Sequence, residues 1–121
     1  MDNTHSINAK IFKAFSDETR LMVLSLLQDG EKCANDLLKY VSTSQSTLSH
    51  HMKILVESSI VIARKDGKWM YYSINLAECQ KAVILLHNLT SNMIDTPKSN
   101  VNLSGPKNNT VPTKTVAVQL M

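Results

Sequence analysis

A change of hydrophobic period near residue 60 constrains the fold of this chain more than any other feature. Before it, Leu48, Met52 and Leu55 recur at offsets of 4 and 7, which is helical spacing. After it, the stretch "IVIARKDGKWMYYSI" alternates with a period of 2 around Asp66-Gly67. That dipeptide suits a type I′ turn, which needs positive φ at both central positions. The pattern therefore predicts a β-hairpin that directly follows a helix.

Three more helices are predicted before this point and one after it. The segments are "INAKIFKAF", "SDETRLMVLSLLQDG", "CANDLLKYV" and, after the hairpin, "LAECQKAVILLHNLTSNM". Ser16 or Asp17 can cap the second helix, and Ser44 can cap the helix before the hairpin. Asn75 with Glu78 three residues on resembles a capping box for the last helix.

The predicted apolar stripe of the second helix consists of Leu21, Val23, Leu24 and Leu27. The order helix, helix, short helix, tight turn, helix, hairpin, helix predicts a mostly α protein with a small β-hairpin. This is a winged helix-turn-helix, in which the hairpin is the wing.

Length and composition predict one folded domain, residues 1–95, followed by a disordered polar tail, 96–121. A chain of 121 residues with 43% hydrophobic residues can form a core, but so small a domain is marginally stable and favours self-association. No run of about 18 apolar residues and no secretory signal is present, so we expect a cytoplasmic protein without a membrane partner.

The polar face of the fourth helix predicts DNA contacts. Short hydroxyl and amide side chains at a helix N-terminus can reach base edges, and the helix dipole favours phosphate. No acidic residue occurs on this helix before Glu57. The predicted DNA-binding residues of the helix are Gln45, Ser46, Thr47, Ser49, His50 and Lys53.

The hairpin adds basic residues suited to phosphate contacts, namely Arg64, Lys65 and Lys68. Residues 42–75 hold four Lys/Arg against two Asp/Glu, whereas residues 1–41 hold five against six. The positive excess therefore lies in the helix and hairpin predicted to face DNA, although the net charge of the chain is only +3.

With these motifs the chain resembles the ArsR/SmtB family of bacterial metal- and metalloid-responsive repressors. The resemblance is carried by "FSDETRLMVLSLL", "SQSTLSHHMKIL" and "RKDGKWMYYSI" and extends from about Ile7 to about Met93. It implies a homodimer that binds a palindromic double-stranded DNA operator and is released by an inducer. It also implies DNA reading at Gln45, Ser46, Ser49 and His50. In this family the first and last helices form the dimer interface, which here would comprise Ile7, Ile11, Val83, Leu86 and Met93.

The resemblance leaves the inducer open. Relatives that sense arsenite use a Cys-x-Cys pair at the start of the third helix, and trivalent arsenic prefers two or three thiolates. Cys33 occupies the first position of that pair, but Asn35 occupies the second. Of the positions where other relatives bind zinc on the last helix, only Glu78 could ligate a metal. Cys33 is therefore an incomplete metal or metalloid site, a thiol that reacts with an oxidant or electrophile, or a packing residue.

His51 lies beside the apolar face of its helix, so a packed, hydrogen-bonded histidine is expected, while His50 points away toward DNA. Cys79 lies on the apolar seam of the last helix and is expected to pack. The alternatives are a metal-independent winged helix regulator and a protein-interaction module that has kept the fold but lost DNA binding or the sensor site. An enzyme is not expected, because no nucleophile, base and acid are grouped.

Overall fold

The computed structural model describes residues 3–92. Residues 1–2 and 93–121, which include Met93 and the predicted tail, lie outside the described part of the chain. The elements are, in order, α1 Thr4–Phe15, α2 Glu18–Leu26, a 3-10 turn Leu27–Asp29, β1 Lys32–Cys33, α3 Ala34–Leu38, α4 Gln45–Glu57, β2 Val61–Asp66, β3 Trp69–Ile74 and α5 Leu76–Thr90.

The chain divides into two units, 1–86 and 87–121. Of the second unit, residues 87–92 are described. They contain the last turn of α5, where the hydroxyls of Thr90 and Ser91 donate to the carbonyl of His87 at 3.4 and 2.6 Å. Among the described residues, no helix has the length and apolar character needed to cross a membrane.

Side-chain caps fix where the helices begin. The backbone N–H of Arg20 donates to Oδ2 of Asp17 at 3.0 Å, so Asp17 rather than Ser16 caps α2. The N–H of Glu78 donates to Oδ1 of Asn75 at 3.3 Å, which confirms the cap predicted for α5. Each cap satisfies one of the backbone donors that the first turn of a helix leaves unpaired.

The core lies between the helices and one face of the sheet. Its buried residues are Ala14, Val23, Leu27, Leu37, Leu48, Met52, Leu55, Ile60, Val61, Tyr72 and Ala82. The stripe predicted for α2 is wrong in one position, because Leu21 is 52% exposed. Arg20 is buried instead, since it lies three and seven residues before Val23 and Leu27 on the same helical face.

The sheet has three antiparallel strands in the order β1-β3-β2. The hairpin of β2 and β3 was predicted, but β1 was not, because two residues show no period. Asp66 pairs with Trp69, so the loop residues are Gly67 and Lys68. Positive φ occurs at Gly67 (64°) and not at Lys68, which fits a type II′ turn rather than the predicted type I′.

Candidate nucleic-acid interface

The N-terminus of α4 is built by its cap. Oγ of Ser44 accepts from the backbone N–H of Thr47 at 3.2 Å and donates to Oγ1 of Thr47 at 3.0 Å. A second contact joins the hydroxyls of Ser44 and Ser46 at 3.3 Å. The helix therefore begins at Gln45 as predicted, with its positive dipole end and polar side chains at the surface.

The helical period then separates a core face from an exposed face along α4. Leu48, Met52 and Leu55 are buried, as the sequence predicted. All nine residues predicted to bind DNA are exposed, six on α4 and three on the hairpin. They are Gln45, Ser46, Thr47, Ser49, His50, Lys53, Arg64, Lys65 and Lys68.

The two lysines of the hairpin extend near its turn. Lys65 lies on β2, and Lys68 lies in the turn with Nζ 5.8 Å from the ring centroid of Trp69. Within residues 3–92, neither ammonium group forms an ion pair. Both positive charges are therefore available to an anionic partner.

Arg64 differs from these lysines because acidic side chains already surround it. Its Nε and Nη2 donate to Oε2 and Oε1 of Glu31 at 2.9 and 2.7 Å, and its Nη1 lies 3.8 Å from Oδ2 of Asp66. Its guanidinium carbon lies 4.6 Å above the ring of Tyr71. The hydrogen bonds from Arg64 lower the pKa of Glu31, so this ion pair persists at neutral pH and is lost only in acid. Arg64 thus joins the hairpin to the loop before β1.

Sequence reasoning missed the contribution of Arg20, the one charged residue that is buried among residues 3–92. Its Nη1 lies 2.9 Å from Nδ1 of His51, and its Nε and Nη2 donate to the carbonyls of Ala14 and Lys13 at 3.0 and 2.9 Å. His51 is thus packed and hydrogen-bonded, as expected. The sequence feature that could have predicted the burial of Arg20 is its position on the apolar face of α2.

Neither cysteine belongs to a group of three or more metal-ligating side chains in the part of the chain that the structure describes. Cys33 pairs with Tyr71 across β1 and β3 and precedes α3, a helix of five residues. Burial, with a smaller effect of Glu78, raises the pKa of Cys79, whose Sγ donates to the carbonyl of Ile60 at 3.8 Å. No group of three or more Cys, His, Asp or Glu side chains within residues 3–92 could hold a metal ion. The residues present do not fit the thiolate site of the family.

The residues predicted to form the dimer interface differ in exposure. Ile7 on α1 is 58% exposed, and on α5 Val83 is 67% and Leu86 52% exposed. Ile11 is half-buried and packs against the core. Met93 lies outside the described residues.

Comparisons with known proteins agree with this geometry. Residues 17–63, which contain α2 through the start of β2, match the model of the bacterial regulatory protein arsR family. The chain is 52% identical over 67 residues to an arsenical resistance operon repressor of Staphylococcus aureus, a stretch that covers 55% of this chain and 64% of that protein. An HTH-type transcriptional regulator of Methanocaldococcus jannaschii is 48% identical over 67 residues, covering 54% of this chain and 75% of that protein.

A solved structure has the same fold. It is a possible transcriptional regulator for arsenical resistance, which superposes with a TM-score of 0.64 at 26% sequence identity. The superposition covers 70% of this chain and 88% of the other.

Proposed function

The chain belongs to the arsR family of bacterial regulatory proteins, and we therefore propose that it is a DNA-binding transcriptional repressor that acts as a homodimer on a palindromic operator. One observation carries the proposal. The exposed face of α4, the recognition helix, is polar and free of acidic residues over its first three turns, and the hairpin after it presents Lys65 and Lys68. A surface of this kind fits the phosphates and base edges of a major groove.

The roles follow from the chemistry of each group. Gln45, Ser49 and His50 carry donors and acceptors that can distinguish base pairs. Lys65 and Lys68 neutralise phosphates, and the N-terminus of α4 adds its dipole. A two-fold symmetric dimer places two such helices on two half-sites, so the operator is palindromic.

The dimer is proposed to form through the exposed apolar side chains of Ile7, Val83 and Leu86. Isolated apolar residues are common on protein surfaces, but several on two helices favour association because each loses contact with water.

Selection of bound sequences from a pool of random DNA tests the proposal. The protein is mixed with randomised 30-base-pair duplexes, and bound DNA is amplified and sequenced. Enrichment of a two-fold symmetric sequence is the expected result. If no sequence is enriched although circular dichroism shows that the protein is folded, recognition of a DNA sequence is contradicted.

Lys65→Gln and Lys68→Gln are each expected to weaken binding to every duplex and to reduce the slope of log K against log salt concentration by about 1. Arg64→Gln is expected to leave that slope nearly unchanged, because its guanidinium is held by Glu31. Fluorescence anisotropy between 50 and 300 mM salt measures the slopes.

Glu31→Gln is the matched control for Arg64. If the ion pair only places the hairpin, Glu31→Gln and Arg64→Gln change binding by similar factors, and the double variant adds little to either. A drop of the salt slope by about 1 in Arg64→Gln would instead mean that Arg64 contacts a phosphate.

A second candidate is a regulator that does not respond to arsenite. It is favoured by the single thiol at the start of α3, since Asn35 stands where a second cysteine would complete a pair. We expect arsenite to leave the protein–operator complex intact in the presence of a reductant, as measured by anisotropy. Release of the DNA by arsenite that is abolished in Cys33→Ser would contradict this and assign the sensor to Cys33.

A further inference from the structure

We propose that Arg20 and His51 position the recognition helix for operator reading, an inference that rests on the proposed DNA-binding function. Arg20 lies on α2 and is 6% exposed, and none of its contacts involves the surface predicted to meet DNA. Burying a guanidinium costs free energy unless its N–H donors are paired. The partners of Arg20 therefore indicate which parts of the fold its side chain holds together.

Those partners lie on two other helices. Nε and Nη2 donate to the carbonyls of Ala14 and Lys13, which belong to the last turn of α1. The last carbonyls of a helix lack the usual partner four residues on and carry the negative end of its dipole, and the carbonyl of Lys13 also accepts from the backbone N–H of Ser16 at 3.0 Å. Nη1 lies 2.9 Å from Nδ1 of His51 on α4. One side chain of α2 therefore ties the end of α1 to the recognition helix.

The contact with Arg20 also specifies which ring nitrogen of His51 carries the proton. Because a guanidinium has donors and no acceptor, Nδ1 of His51 must accept, and the proton of the neutral ring is on Nε2. The other charged or titratable groups that face the ring are Asp17, whose Oδ2 lies 3.6 Å from Nδ1, and His50, whose ring centroid lies 6.1 Å away. The hydrogen bond from the backbone N–H of Arg20 lowers the pKa of Asp17, which stays ionised beside the pair.

His51 is placed to control the exposed face of α4. It follows His50 directly and is two residues from Ser49, and its side chain is 13% exposed. A hydrogen bond from a fixed guanidinium to this ring limits rotation of α4 about its axis. That rotation decides which side chains face the groove, and reading bases requires placement within about half an ångström.

The test compares His51→Leu with His51→Asn. Oδ1 of asparagine can take the place of Nδ1 and accept from Arg20, whereas leucine has no acceptor. Binding is measured for the selected duplex and for a scrambled duplex of the same composition. In His51→Leu we expect the ratio of the two affinities to fall about tenfold or more, with the binding of scrambled DNA and its salt slope unchanged. In His51→Asn we expect a ratio within about threefold of the parent.

A selectivity ratio in His51→Leu within about threefold of the parent would overturn the proposal. If His51→Leu does not fold, the proposal is tested on the parent protein, because a long-range ¹H–¹⁵N spectrum reports the tautomer of His51. A proton on Nε2 supports the Arg20 contact, and a proton on Nδ1 overturns it. Failure of the proposed function is a different result, because the parent itself would then show no preference for any selected duplex.

Discussion

Val83→Glu is expected to convert the protein to a monomer and to weaken operator binding by about 100-fold or more. Val83 is 67% exposed on α5, with Leu86 beside it on the same helix. A carboxylate at the centre of an apolar contact would be buried without a partner, so the contact would not form. Each monomer would then bind one half-site and lose the gain from two linked contacts.

Ala77→Glu is the matched control for this change. Ala77 is exposed on the same helix, about 120° around its axis from Val83, and the substitution adds the same charge. Sedimentation equilibrium gives the mass, and anisotropy gives the affinity. A dimeric Val83→Glu protein with parental affinity would place the interface elsewhere, whereas a monomeric Ala77→Glu protein would extend it around α5.

Combining Ser49→Ala with His50→Ala is expected to lower affinity for the selected operator by about 30-fold or more. Both side chains are exposed on α4, and each good base contact contributes about 1–3 kcal/mol of discrimination. Affinity for scrambled DNA and the salt slope should stay the same, because neither side chain is a fixed positive charge.

Ser25→Ala combined with Gln28→Ala serves as the control. Both are exposed polar residues, and they lie outside α4 and the hairpin. The control should bind the operator like the parent. Equal losses in the two double variants would show that the recognition helix had been assigned wrongly.

Most of the fold could be predicted because its signals are local. The caps at Asp17, Ser44 and Asn75 bond to backbone groups three residues away, and the core face of α4 follows from helical spacing. The strand that was missed depends on distant partners. The strand β1 exists only because Lys32 and Cys33 pair with β3, some 40 residues on.

In the candidate site, too, some features were predictable from local sequence and others depended on distant residues. Exposure of the predicted DNA-binding residues followed from the period of α4 and the hairpin pattern. The difference between Arg64 and Lys65 could not be predicted, because Arg64 is held by Glu31, which precedes it by 33 residues. Neighbouring positions with like charges in the sequence therefore have different electrostatic surroundings.

By itself, the sequence determined the order of the helices, the place of the hairpin and the polar character of the recognition helix. These depend on periodicity and on hydrogen bonds between residues near one another in the chain. The tertiary structure alone decided that Arg20 is buried, and that it joins the end of α1 to His51. A charged residue is buried only when folding supplies partners for its donors, and these partners come from two other helices, α1 and α4.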